Sequence, residues 1–570
     1  MDLTEWLTTH HASWVKRPQR LVGDLRPTPY LGDGVTANEW LANPDSPVLF
    51  THIESYDSLK EPDTLFLFGR RGTGKSELLQ MLQFQVRTRR VKDYGSAWVL
   101  LSDVLSDKLS LLVNSSSLAA LSNREKVRLL ANCWQWLFGV GAMAGAIAQQ
   151  RYHGNGSTVS PRLSAYVDCT IDGKTDNAKD FSVWAAKKLS KLILDVQPDG
   201  GGAEQNARWV HNIESALESA AFLEAAEAAR AFVGHDFQLV MLDGDEVFQT
   251  TESVVWELHT ALIQFVSEAY TERNQTRIVA KAALPSEIYP FLRPHNREKV
   301  EGKNTFIHWK YRDLVTLVAK RFLWAVESPQ NKDAYVVLAS DVAAADKYLR
   351  EYLPGTIDTR SGVTMPTMAY FIRHTQKKPR QLIELLNAVL TLSKSENHAV
   401  HWDLRQHERT IRDGIHGRLH ALVDGTIDTY SRVYPGADRI MRTVMNGSRA
   451  YFAPDQLDGL VKHAAALRGE ANLTAQEVKL FLFQSGVLGV ARYARQVRGI
   501  GECWMLEAQY EYQVKAHLIP AQQQLCVVHP MFFEVLGTTI DERVTVYPAP
   551  FEDEERVLMN NLGLGFTPRR

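Results

Sequence analysis

In the first 310 positions, short apolar runs closed by a turn or an acid alternate with longer stretches of helical spacing. Leu65-Phe66-Leu67-Phe68 predicts a buried strand, and Leu78, Leu79, Met81 and Leu82 place the apolar face of a helix beginning near Lys75. Ala97-Trp98-Val99-Leu100-Leu101 predicts a second strand, and a helix is expected from Ser122 to Gln150. An alanine-rich helix is expected from Arg208 to Phe232, before the strand Leu239-Val240-Met241-Leu242. Strands at Arg277 to Ser286 and Asn304 to Trp309 complete the set. Near-continuous apolar strands alternating with helices predict an α/β fold, a parallel sheet with helices on both faces. The stretch 151–207, rich in glycine and asparagine turns, reads as an insertion with one short helix.

From Lys310 the spacing is helical, with one helix opened by Pro379. Helices at 430–447 and 454–467 precede a capping box, Thr474 to Glu477, that opens a third. Strands at Val487 to Arg492 and Cys503 to Val514 follow, joined by Gly499-Ile500-Gly501, with Leu525 to Val528 as another. Three helices and a hairpin predict a winged helix. The expected organisation is an N-terminal arm at 1–60, an α/β core at 61–309, a helical lid at 310–430, a winged-helix-like domain at 431–545 and a charged tail at 546–570.

Composition changes little. The 570 residues are 45% hydrophobic and 23% charged with net charge −2, an ordinary globular balance without a global basic field. The four cysteines are scattered, which argues against a zinc ribbon or disulfide framework. Trp136 to Ala148 is apolar but too short to span a bilayer. No membrane partner and a cytoplasmic location are therefore expected.

The chemistry lies in the turn after the first strand. Gly69-Arg70-Arg71-Gly72-Thr73-Gly74-Lys75-Ser76 has the full G-x-x-x-x-G-K-S spacing of a phosphate-binding loop. Backbone N–H groups would cradle phosphates at a helix N-terminus, Lys75 would reach the β- and γ-phosphates, and Ser76 would ligate Mg²⁺. The cofactors expected are therefore ATP and Mg²⁺. Asp243 ends an apolar strand on the sheet edge where such ligands bind and would hold the metal. Asp245 or Glu246 would polarise the attacking water, and Ser286, at the C-terminal end of another strand, is a candidate γ-phosphate sensor.

Two other patterns stand in the sequence. His416 and His420 share a helical i, i+4 spacing, but no glutamate follows the first, so zinc is set aside. Arg492, Arg495 and Arg498 flank Tyr493 on the expected hairpin and form a candidate DNA contact, to which Arg373, Lys377 and Lys378 would add.

Taken together, the Gly69–Ser76 loop, the acidic strand end at Asp243 to Glu246, Lys378-Pro379-Arg380 and the terminal hairpin resemble the AAA+/STAND superfamily. The order is most similar to origin-recognition-type and bacterial stand-alone P-loop ATPases found in defence or mobile-element contexts. The resemblance implies a three-layer P-loop core, Arg380 as a sensor arginine, and Arg297 or Arg293 as the finger reaching a neighbouring subunit's nucleotide. It further implies ATP hydrolysis driving a conformational or oligomeric switch on DNA, in a homo-oligomer or with an effector protein. The alternative is an ATP-bound scaffold that binds a protein through the winged helix.

Overall fold

The computed structural model describes residues 49–101, 121–153, 159–167, 178–194, 203–244, 253–292, 294–326, 332–396, 403–431, 434–466, 474–497, 503–513, 518, 520 and 523–549. They fall into two compact units, 54–307 and 308–549 with 49–53. The expected arm up to 48, the acids Asp245 and Glu246, the arginines Arg293 and Arg498, and the tail beyond 549 lie outside the described residues.

In the first unit, α1 (Glu54–Lys60) leads to β1 (Phe66–Gly69) and α2 (Lys75–Arg87). Then come β2 (Tyr94–Leu101), α3 (Asn123–His153), α4 (Ala178–Leu194), α5 (Ala220–Val233), β3 (Phe237–Asp243), α6 (Ser253–Thr276), β4 (Ile278–Pro285) and β5 (Asn304–Phe306). The five strands pair in parallel in the order β2-β3-β4-β1-β5. Alternation sorts their side chains between two faces. Phe66, Phe68, Trp98, Leu100, Val240, Leu242, Ala282 and Leu284 join one core with α3 and α6. Leu67, Val99, Leu239 and Met241 are equally buried but belong to the other face, which α2 covers. This is the expected α/β architecture, with helices on both sides of a parallel sheet.

Local chemistry explains where elements differ from expectation. Helix α3 starts at Asn123 because Ser122 caps it: Glu125 N donates to Ser122 Oγ at 3.4 Å and Ser122 N donates to Glu125 Oε2 at 2.9 Å. Its stretch from Trp136 to Ala148 is buried protein core. Among the described residues no helix is long and apolar enough to cross a membrane. The alanine-rich helix expected over 208–232 is two helices, Ala203–Glu218 and α5, because the Ser219 hydroxyl accepts from Phe222 N at 3.3 Å and starts a new turn. The expected insertion contributes α4 to the main core. Phe181, Ala185 and Leu189 are buried, and Phe181 meets Trp98 edge-on at 5.2 Å. The strand at Asn304 stops at Phe306, three residues short of Trp309.

The second unit contains α7 (Tyr311–Val326), a short hairpin β6 (Thr356–Asp358) and β7 (Thr364–Pro366), α8 (Thr367–Arg373), α9 (Pro379–Ser395) and α10 (Glu408–Ser431). It continues with α11 (Ala437–Met445), β8 (Tyr451–Phe452), α12 (Pro454–Ala466), α13 (Ala475–Gln484), β9 (Leu488–Val497), β10 (Cys503–Tyr510), β11 (Cys526–Val528) and β12 (Val544–Ala549). Its second sheet has the order β12-β10-β9-β11-β8, antiparallel except for the parallel pair β10–β12. Three helices and a hairpin are present, within a larger sheet than the sequence suggested. β12 runs through position 546, where the charged tail was expected to begin. The Thr474–Glu477 capping box is formed on α13. Helices and sheet are joined by buried bonds: Gln376 Nε2 donates to Ser485 O at 2.6 Å, and Tyr430 OH donates to Gln484 O at 2.7 Å.

Helices α9 and α10 pack through Gly414. A methyl group there would lie 2.7 Å from Val389 Cα and 2.8 Å from its Cγ2. Alanine would gain about 1 kcal/mol of helix propensity, but the obstacle includes backbone, so overpacking of roughly 1–3 kcal/mol prevails. Gly414→Ala is expected to lower the calorimetric Tm by a few degrees; an unchanged Tm would mean the helices do not meet at this residue.

Candidate nucleotide-binding site

The site is built on β1 and α2. Gly69 ends the strand; a Cβ there would sit 2.6 Å from Thr73 Oγ1 and 2.8 Å from Ile307 Cδ1, so both side chains would have to move. Gly72 and Gly74 have φ of 84° and 92°, the left-handed region that glycine enters without strain. Between them Thr73 closes the turn, its N–H and hydroxyl both donating to Arg70 O, at 3.1 and 2.7 Å. Lys75 is 2% exposed, and its ammonium donates to Gly69 O at 2.6 Å and Arg70 O at 3.3 Å. The lysine thus arches back over the loop that precedes it.

Helix α2 starts directly behind this loop, and its N-cap residue, Gly74, makes no side-chain cap bond. The contrast with α3 and α13, both capped by hydroxyl and carboxylate, is informative. The first N–H groups of a helix have no intrahelical acceptor and carry its positive dipole end, so an uncapped start behind a glycine turn suits an anion. The cradle, the buried ammonium and the uncapped helix fit a polyphosphate. Ser76 occupies the second helical position, and Arg70 and Arg71 flank the turn.

The strand register arranges the remaining candidates along the same edge. Gly69 is level with Pro285 on β4, so Ser286 is the first residue beyond the sheet beside the loop. Asp243 is level with Ala283 on β4, and Ala283 is level with Leu67. It ends β3 one strand beyond β4, and is 8% exposed. A carboxylate there, with the Ser76 hydroxyl, has the hard oxygen donors that Mg²⁺ takes. Arg297 is half-buried, its guanidinium 5.8 Å from the Tyr289 ring. Tyr289 packs edge-on against Phe68 and Phe306, each at 5.1 Å. Arg297 is therefore tied to the loop end of β1.

One residue that sequence reasoning passed over is Glu287, next to Ser286. It is 8% exposed, and both carboxylate oxygens are buried without a hydrogen-bond partner among the described residues. An acid directly after a Pro-Ser strand end was the available signal.

Other candidates are not brought here. Arg380 lies in the second unit, half-buried in the first turn of α9 behind Pro379. Arg373 and Lys378 are 7% and 4% exposed, so they are interior residues, not surface contacts for a phosphate backbone. Arg492 is exposed in strand β9, where its Nε donates to Gln509 Oε1 at 2.6 Å. Arg495 is in the same strand. His416 lies in the second unit, its Nδ1 2.5 Å from Glu534 Oε2.

No curated protein matches the chain. The crystal structure of Cdc6p from Pyrobaculum aerophilum aligns over 88% of each chain at 10% identity, with a TM-score of 0.27 that is too low to equate the two folds. Residues 34–97 match the ORC-CDC6-like family model. That segment holds α1, β1, the glycine loop and α2, and over it the chain is similar to origin-recognition-type P-loop ATPases.

Proposed function

We propose that the chain binds ATP with Mg²⁺ at Gly69–Ser76 and hydrolyses it, turnover driving a conformational or oligomeric switch. The carrying observation is the glycine cradle with the buried Lys75 ammonium and the uncapped start of α2. The backbone N–H groups of Gly72, Gly74, Lys75 and Ser76 would hold the β- and γ-phosphates, with Lys75 leaving its loop carbonyls to neutralise them. Mg²⁺, held by Ser76 and by Asp243 through water, would supply charge neutralisation on the phosphoryl group. Glu246, with Asp245 as the other candidate, would orient water, while Ser286 and Arg297 would sense the γ-phosphate. Arg380 would report nucleotide state to the second unit, where Arg492, Arg495 and Arg498 form the candidate DNA contact. A defence or mobile-element setting is the context in which such a switch would serve.

Phosphate release with calorimetric ATP binding tests this. Glu246→Gln is expected to cut turnover about 100-fold or more while leaving affinity within about threefold. If Glu287→Gln shows that pattern and Glu246→Gln does not, the base is Glu287. Absence of phosphate release from the wild type, with and without DNA, would replace hydrolysis by the ATP-bound scaffold.

A further inference from the structure

A cavity of about 340 Å³ lies within the second unit, walled by the β6–β7 turn, the end of α8 and the segment 530–544. Arg373 lines it, 93% buried by its 7% exposure. Its Nε is buried without a hydrogen-bond partner, and no carboxylate pairs with it among the described residues. Its neighbours are aromatic, with the Tyr370 ring centroid 5.8 Å away. A guanidinium cannot shed its proton at any ordinary pH, so burial leaves a full charge that the surrounding protein does not compensate.

The other polar groups have the same bias. Thr538 lines the cavity with a buried hydroxyl that also lacks a partner. Thr359 and Ser361 contribute hydroxyls, and Arg360 adds an exposed second cation at the same wall. The one lining carboxylate among the described residues, Glu534, is engaged by His416. His374 is held neutral, its pKa pushed well below the usual value by burial and by the Arg373 charge. Its Nδ1 faces Tyr370 O at 2.8 Å and must donate, which leaves Nε2 as an acceptor for a ligand hydroxyl. Tyr370, Leu419 and Phe533 make the remaining wall apolar. The volume is in the small-molecule range.

We propose that this cavity is a second ligand site, outside the Gly69–Ser76 loop, for a small phosphorylated molecule with an aromatic body, its phosphate held by Arg373 and Thr538. An arginine fork matches phosphate geometry, and the apolar wall would take the ring.

The test is calorimetric titration of full-length Lys75→Ala protein, in which the nucleotide loop is disabled, with phenyl phosphate and with inorganic phosphate. Phenyl phosphate is expected to bind with a Kd of about 1 mM or tighter, and inorganic phosphate about tenfold more weakly for want of the ring. Arg373→Gln should weaken phenyl phosphate about tenfold or more, and Thr538→Val about threefold. Without ligand, Arg373→Met should raise the Tm by about 2 °C or more, because it removes an uncompensated charge. No heat with phenyl phosphate, binding unchanged in both variants, or a lowered Tm for Arg373→Met would each overturn the proposal.

Discussion

Lys75→Ala is expected to abolish detectable ATP binding, a loss of about 100-fold or more, while leaving the Tm of the ligand-free protein within a few degrees. The two halves come from the same geometry. In the free loop the ammonium already donates to Gly69 O and Arg70 O, so its removal leaves two carbonyls at a loop end short of a donor. Water can replace that contact at modest cost. The anion has no such substitute. Around the loop Arg70 and Arg71 supply further charge, but only Lys75 arches from the helix back over the cradle. Calorimetric titration with ATP beside a thermal scan separates loss of the site from loss of the fold. Retained affinity within tenfold would remove the loop as the nucleotide site.

The second large effect concerns Lys281, in the middle of β4 and 1% exposed. Its ammonium donates to Glu61 O at 2.6 Å and Thr64 O at 2.5 Å, tying the approach to β1 onto the sheet. Burial pulls its pKa from 10.5 to about 7, the carboxylates of Glu61 and Asp63 opposing that pull. The folded pKa is below the unfolded one, so between about 7 and 10.5 the unfolded chain binds more protons. Stability from this group therefore rises with pH across that window, by at most about 1.4 kcal/mol per unit. A neutral amine still donates to both carbonyls, so the ties survive deprotonation. Lys281→Met loses them and costs about 1–3 kcal/mol per orphaned carbonyl. It also loses the pH dependence. The Tm gap between wild type and variant is expected to widen from pH 7 to pH 10; a constant gap would mean that the carbonyls hold the ammonium at its ordinary pKa.

The sheet and the phosphate loop were legible because their physics constrains residue type tightly. Strands covered on both faces must be largely apolar, and a turn that enters the left-handed region at 72 and 74 needs glycine there. Burial of charge was not legible. Arg373 and Lys378 read as basic surface, yet a single chain's charges carry no sign of which will be enclosed. Lys281 was not singled out, and its partners, Glu61 and Thr64, are more than 200 positions away. The second sheet was underestimated because β8 is only two residues long, too short for alternation to register, and because β12 runs into the stretch expected to be a charged tail. The split at Ser219 was missed because alanine spacing continues through it, while the cap bond that breaks it is local.

The bonds from Gln376 to Ser485 and from Tyr430 to Gln484 have a mechanical meaning. They clamp the turn before α9 and the end of α10 to the end of α13, where the chain enters β9. Through these bonds the described parts of α9, α10 and α13 are tied at the entry to the hairpin. A rotation imposed on the first turn of α9, where Arg380 sits, would arrive at the β9 arginines as a swing of this tied group, with its amplitude growing with distance from the pivot.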